Sequence, residues 1–206
     1  MSLPNLLTVW RFPAAVLFLA WYLATGQGGF LEGAMPTWVV FLVLLLLTGA
    51  AEISDILDGR LARSRGQVSN LGKILDPYAD ATYHLTVLFC FASDAWGTWV
   101  PLWMVMVTYY REAVVHVVRS LGQEQGLYIH AHWTGKAKTT ALGIASVVIL
   151  LWATVRSAMG LSGPAFGEEM TLVSLPFMWI ILLFSLWSGT GYAWRNRALF
   201  AGLKAR

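Results

Sequence analysis

Residues 54–80 read SDILDGRLARSRGQVSNLGKILDPYAD, and this stretch decides how the rest of the chain is read. Asp55 and Asp58 are three apart, and Asp76 and Asp80 are four apart. On a helix either spacing puts both carboxylates on one face. Apolar runs lie on both sides, at roughly 36–56 and 75–94, so the acids fall at the ends of two apolar helices. Four carboxylates at a membrane boundary are costly unless they are paired. A hard divalent cation relieves that cost and their mutual repulsion. Mg²⁺ prefers oxygen ligands, keeps some waters and often binds substrate phosphates. Two such ions can clamp both sides of a phosphorus centre. Pro77 suits a first helical position, and Asp76 is expected to cap that helix end.

The composition outside this stretch agrees with a membrane setting. The 206 residues are 57% hydrophobic and 12% charged, with a mean hydropathy of +0.61. A soluble globule cannot hide so much apolar surface. Eleven Trp and seven Tyr suit membrane–water interfaces. The net charge of +3 reflects loop bias rather than nucleic-acid binding. A single cysteine, Cys90, excludes a disulfide framework and reads as a small buried hydrophobe. Arg11 followed by an apolar stretch resembles a secretory signal, but further spans follow and the segment is read as retained.

A spanning helix needs ~20 mostly apolar residues. Six candidates run roughly at 10–26, 36–56, 75–94, 98–120, 138–159 and 171–193. Lys and Arg mark the cytoplasmic side. Arg60, Arg63, Arg65 and Lys73 lie between spans two and three, and Arg119, Lys136 and Lys138 around the segment between spans four and five. Arg195, Arg197, Lys204 and Arg206 follow span six. The opposite loops carry Glu32, Asp94, Glu168 and Glu169 against Arg156 alone. The expectation is an all-α integral membrane protein forming a single domain over residues 1–206. It has six transmembrane helices, a short N-terminal juxtamembrane helix around residues 4–8, and both termini cytoplasmic.

The segment between the acid pairs suits a phosphate-bearing substrate. Gly59 follows Asp58 directly, where a missing side chain lets a substrate approach the backbone. Ala62 is small on the same turn, Arg63 offers a fork of donors to a phosphate, and Gly72 lies one turn before Asp76. Asp55, Asp58-Gly59, Ala62-Arg63, Gly72, Asp76 and Asp80, at these offsets, resemble the CDP-alcohol phosphotransferase family signature at every defined position. The six-span layout is similar to that family as well.

The resemblance implies a reaction in which a CDP-linked lipid donates its phosphatidyl group to an alcohol and CMP leaves. It implies that Asp55, Asp58 and Asp76 hold Mg²⁺ or Mn²⁺, two ions in all, with Asp80 as a further ligand and the general base. It also implies that Gly59, Ala62, Arg63 and Gly72, with Asn5 and Thr8 near the N-terminus, line the CDP-lipid site. A homodimer in a bacterial inner membrane, with the site facing the cytoplasm, is implied too.

The acceptor site must come from other residues. Arg111 and Arg119 are eight apart in span four, and Lys136 and Lys138 begin span five. Together they can form a pocket for a phosphorylated alcohol. Interfacial snorkelling is the plain alternative for Arg119, Lys136 and Lys138. Asn5 within the 4–8 stretch, Arg11, Asp76-Pro77, Arg111-Glu112 and Gly135-Lys136 resemble the phosphatidylglycerophosphate synthases of the family. Glycerol 3-phosphate is then the expected acceptor. Ala81 and Leu142 depart from that subfamily's Lys and Gln. Inositol phosphate is an alternative acceptor, and a cation transporter using the acids as a coordination site is a more remote one. His84, four beyond Asp80, is close enough in sequence to touch the site, but it reads first as a satisfied helix-packing histidine.

Overall fold

The computed structural model describes residues 3–64, 70–124 and 133–197. The described residues form six α-helices: α1 (Leu3–Thr25), α2 (Thr37–Ser64), α3 (Asn70–Ala92), α4 (Leu102–Glu124), α5 (Trp133–Ala158) and α6 (Gly163–Arg195). Four of them contain stretches long and apolar enough to cross a membrane, at Asn5–Thr25, Thr37–Leu61, Ala137–Ala158 and Gly163–Tyr192. Their outward faces carry exposed aliphatic side chains such as Val16, Leu46, Leu172 and Leu183. A protein in water does not present such faces on every side, so the chain is a membrane protein. Helices α3 and α4 are less apolar because they carry Asp76, Asp80, His84, Arg111, Glu112 and His116.

Contacts between helices close a ring in the order α1, α2, α5, α6, α4, α3, and α3 also reaches across it to α5. Small residues let α1 approach its neighbours, with Ala14 and Ala15 fully buried. Ser54 Oγ donates to the Leu7 carbonyl at 2.9 Å, pinning α2 to α1. Tyr83 donates to Thr48 Oγ1 at 3.0 Å, pinning α3 to α2. Both bonds satisfy polar groups that would otherwise be stranded in an apolar interior.

The end of the bundle away from the acids is closed by aromatic packing. Trp99 lies fully buried against Phe91 at 5.1 Å and Phe41 at 5.5 Å between ring centroids. Phe41 also meets Phe166 at 5.3 Å, so α2, α3 and α6 share one contact. Gly26 permits this closure, since a Cβ there would sit 2.7 Å from the Ala95 carbonyl oxygen. The Gln27 amide donates to that same oxygen at 2.7 Å.

Three expectations change. Residues 4–8 do not form a separate juxtamembrane helix, because α1 runs unbroken from Leu3 through Pro13. Pro77 lies inside α3, which begins at Asn70, so Asp76 does not cap the helix. A proline here removes only its own bond to the carbonyl four residues back. Gly59 is also helical, because α2 continues to Ser64 rather than ending at residue 56.

Replacing Trp99 by Ala empties the largest fully buried side chain of this closure. The expected loss is about 3–5 kcal/mol, read as a lower thermal unfolding midpoint in detergent.

Candidate functional site

The acids gather around one arginine. Arg11 sits on α1, is only 2% exposed, and its guanidinium points between α2 and α3. Nη1 lies 2.6 Å from Asp55 Oδ1 and 3.7 Å from Asp80 Oδ1. Nη2 lies 3.1 Å from Asp58 Oδ2 and also pairs with Asp76 Oδ1. Thr8, one turn earlier on α1, donates to Asp58 Oδ2 at 2.9 Å. Helical spacing brings each acid pair onto one face, and the packing of α1 against both helices brings the two faces together. Motif spacing does not reveal Arg11. A lone arginine inside an apolar run is the signal that points to it.

The donor set suits a hard cation. One carboxylate oxygen from each of Asp55, Asp58 and Asp76 lies within 4.8 Å of the others. Asp55 and Asp76 are partly exposed, with side chains at 41% and 50%, so the cluster opens to the bundle end. One guanidinium cannot offset four carboxylates, which leaves a surplus of negative charge where burial makes it costly. Oxygen-only ligands and an open side are what Mg²⁺ or Mn²⁺ requires. The cluster can therefore bind a divalent metal through these three aspartates.

Asp80 is set apart from that trio. It is 23% exposed, against 7% for Asp58 and 50% for Asp76. His84 Nδ1 lies 3.1 Å from its Oδ1 and 2.9 Å from its main-chain carbonyl.

Of the remaining CDP-lipid candidates, Gly59 lies on α2 and Gly72 on α3, facing the same end of the bundle as the acids. Asn5 lies on α1 one turn before Thr8. The side chains of Ala62, Arg63 and Lys136 lie outside the described residues.

Two of the acceptor candidates, Arg111 and Lys138, are brought together but not left free. Arg111 Nη1 donates to Glu112 Oε1 at 2.8 Å, and Lys138 Nζ pairs with the same oxygen. Arg111 Nη2 donates to Ser188 Oγ at 2.8 Å. Gly189 makes room for it, since a Cβ there would lie 2.8 Å from Arg111 Cγ. Lys138 is 4% exposed, so it is a buried cation and not a snorkelling one. Arg119 is half-buried two turns along α4 from Arg111, with its Nε buried and lacking a hydrogen-bond partner among the described residues. His116 stacks on Tyr78 with centroids 4.2 Å apart, tying α4 to the turn that carries Asp76.

Comparison with known proteins gives this geometry a context. A family profile described as CDP-alcohol phosphatidyltransferase matches residues 1–187. A cardiolipin synthase (CMP-forming) of Streptomyces coelicolor is 35% identical over 152 residues, covering 73% of this chain and 66% of its own. A CDP-diacylglycerol–glycerol-3-phosphate 3-phosphatidyltransferase of Treponema pallidum is 31% identical over 135 residues, covering 66% of this chain and 61% of its own. The protein of the same name from Bacillus subtilis is 32% identical over 200 residues, covering 95% of both chains. The chain thus spans just under two thirds of the first two relatives and almost all of the third.

Arg11→Ala leaves the carboxylates without their central counter-charge, at an expected cost of about 3–5 kcal/mol. Thermal unfolding in detergent should show a lowered midpoint that Mn²⁺ partly restores, because a bound cation replaces the missing charge. An unchanged midpoint without metal would remove Arg11 from this role.

Proposed function

The chain belongs to the CDP-alcohol phosphatidyltransferase family, and from that premise we propose that it transfers the phosphatidyl group of CDP-diacylglycerol to glycerol 3-phosphate, releasing CMP. The observation that carries the acceptor is the near-complete match to the Bacillus subtilis relative of that name. Arg111 and Lys138 converging from α4 and α5 support it, as cations suited to a phosphorylated alcohol.

The reaction asks little covalent chemistry of the protein. The acceptor hydroxyl oxygen bonds to the phosphorus that carries diacylglycerol, the bridging P–O bond to CMP breaks, and the hydroxyl proton goes to Asp80. Asp80 suits that role because it stands outside the three-aspartate trio and is held by its own partners. Bound Mg²⁺ or Mn²⁺, two ions in this reading, would neutralise charge on the pyrophosphate from Asp55, Asp58 and Asp76, with Asp80 as a further ligand. Thr8 orients Asp58 for that task. Asn5, Gly59, Ala62, Arg63 and Gly72 line the CDP-lipid side, while the acyl chains stay beside the apolar helix faces.

The same reading makes residues 1–206 one domain, with α3 and α4 spanning the membrane as well as the other four helices. Their acids and bases face the ring interior rather than lipid, which lowers the cost of such residues in a span. The distribution of Lys and Arg supports a cytoplasmic side for the site and both termini, and a homodimer in a bacterial inner membrane is what the family resemblance implies.

A second reading follows from Glu112. It compensates both Arg111 and Lys138, which reduces the positive charge offered to a phosphate dianion. A glycerol-bearing phospholipid, with only a phosphodiester charge, suits such a pocket better. The Streptomyces coelicolor relative carries the name of such an enzyme.

The deciding experiment gives purified protein CDP-diacylglycerol, Mg²⁺ or Mn²⁺, and in turn glycerol 3-phosphate, phosphatidylglycerol, inositol phosphate, inositol or serine. CMP release with glycerol 3-phosphate is expected. CMP release only with phosphatidylglycerol, or only with inositol phosphate, replaces the acceptor and keeps the reaction. Cation flux in liposomes with no CMP from any donor points to a transporter. Asp80→Asn should abolish turnover while binding of CDP-diacylglycerol persists, and near-normal turnover would remove Asp80 as the base. Arg111→Gln should raise the KM for glycerol 3-phosphate by about tenfold or more, equivalent to ~1.4 kcal/mol, with the KM for CDP-diacylglycerol unchanged.

A further inference from the structure

One helical turn deeper than the aspartates lies a second polar pair that the reaction as written does not use. Glu52 stands on α2 one turn before Asp55, and His84 on α3 one turn after Asp80. His84 is 5% exposed. Its Nε2 lies 3.0 Å from Glu52 Oε1, while Nδ1 faces Asp80 Oδ1 at 3.1 Å and the Asp80 carbonyl at 2.9 Å. Glu52 and Asp80 thus hold the ring from its two nitrogens.

This pair is built rather than incidental. Glu52 needs a third helix to make room for it. A Cβ on Gly143 of α5 would lie 2.5 Å from Glu52 Oε2 and 2.7 Å from its carboxyl carbon. The Tyr83 ring stands edge-on to His84, with centroids 6.0 Å apart, and closes its other side. A glutamate and a histidine within an apolar bundle are expensive to keep without a task. The only route from them to the reacting groups shown by the contacts above is through the Asp80 carboxylate.

We propose that Glu52 and His84 are positioning residues for Asp80. Glu52 fixes the His84 ring, and the ring holds Asp80 Oδ1 from the membrane side while Arg11 approaches the same oxygen from α1. A carboxylate held on one oxygen cannot turn about its last bond, so its other oxygen keeps one direction for the acceptor hydroxyl. The proton passes from acceptor to Asp80, and the pair neither takes nor gives it. A histidine ring oriented by a carboxylate is a common device for holding a reacting group, and losing the outer partner typically costs 10–100-fold. The proposal rests on Asp80 being the base.

The test compares His84→Ala, Glu52→Gln, Gly143→Ala and Asp80→Asn with the unaltered protein. Three readouts are needed: kcat and KM for CDP-dependent turnover, Mn²⁺ affinity by electron paramagnetic resonance, and CDP-diacylglycerol binding. His84→Ala and Glu52→Gln are each expected to lower kcat by about 10- to 100-fold. The KM for CDP-diacylglycerol should stay within about twofold, and Mn²⁺ affinity should fall by much less than kcat, because Asp55, Asp58 and Asp76 keep their places. The double variant should be no worse than His84→Ala alone, since the two act as one unit. Gly143→Ala, which displaces Glu52 without touching His84, should reproduce the Glu52→Gln defect. Near-normal kcat in His84→Ala beside an inactive Asp80→Asn would overturn the proposal and leave the base in place. A loss of kcat no larger than the accompanying loss of Mn²⁺ affinity, or matched by lost CDP-diacylglycerol binding, would also overturn it, since that is a structural effect. Turnover retained in Asp80→Asn would instead sink the reading on which it rests.

Discussion

The rest of the structure depends on Arg11 holding four aspartates from three directions. A guanidinium is planar, always charged and rich in donors, so it can meet carboxylates from α2 and α3 at once. No other described basic side chain is paired with all four acids. Without a cation at that point, α2 and α3 would bring like charges together in a poorly hydrated space. With it, both helices can lie against α1. The residual negative charge then becomes an attraction for divalent metal rather than a cause of unfolding.

Around that point the ring of helices is arranged to keep its charges inward. Lipid-facing positions such as Val16, Leu46 and Leu183 are aliphatic, whereas Arg11, Asp58, His84, Glu112 and Lys138 are buried. Each buried charge has a partner on the same or a neighbouring helix. The aromatic closure by Phe41, Phe91, Trp99 and Phe166 at the far end leaves the polar end as the open one.

Glutamates play opposite parts at the two edges of the site. Glu112 sits between Arg111 and Lys138 and weakens their pull on an anion, which sharpens the choice between a phosphorylated alcohol and a lipid acceptor. Glu52 sits behind His84 and strengthens its hold on Asp80. Glu112 is buried and Glu52 partly so, and each is made tolerable by a nearby cation or ring donor.

The amino-acid order alone determined the class of protein and the acid pairs. Periodicity and spacing are local properties, and the distances from Asp55 to Asp58 and from Asp76 to Asp80 follow from helix geometry. The same local logic misjudged helix limits, putting Pro77 at a helix start and ending α2 before Gly59, because proline and glycine are weak boundaries once neighbouring helices supply the packing. Only the tertiary structure decided that Arg11 is the centre of the site, that Glu112 occupies both acceptor cations, and that Glu52 reaches His84. The pairings of Arg11 with the acids, of Lys138 with Glu112 and of Glu52 with His84 join residues 26 to 69 positions apart. Which charge meets which across such separations is set by how six helices pack, and no local spacing rule encodes it.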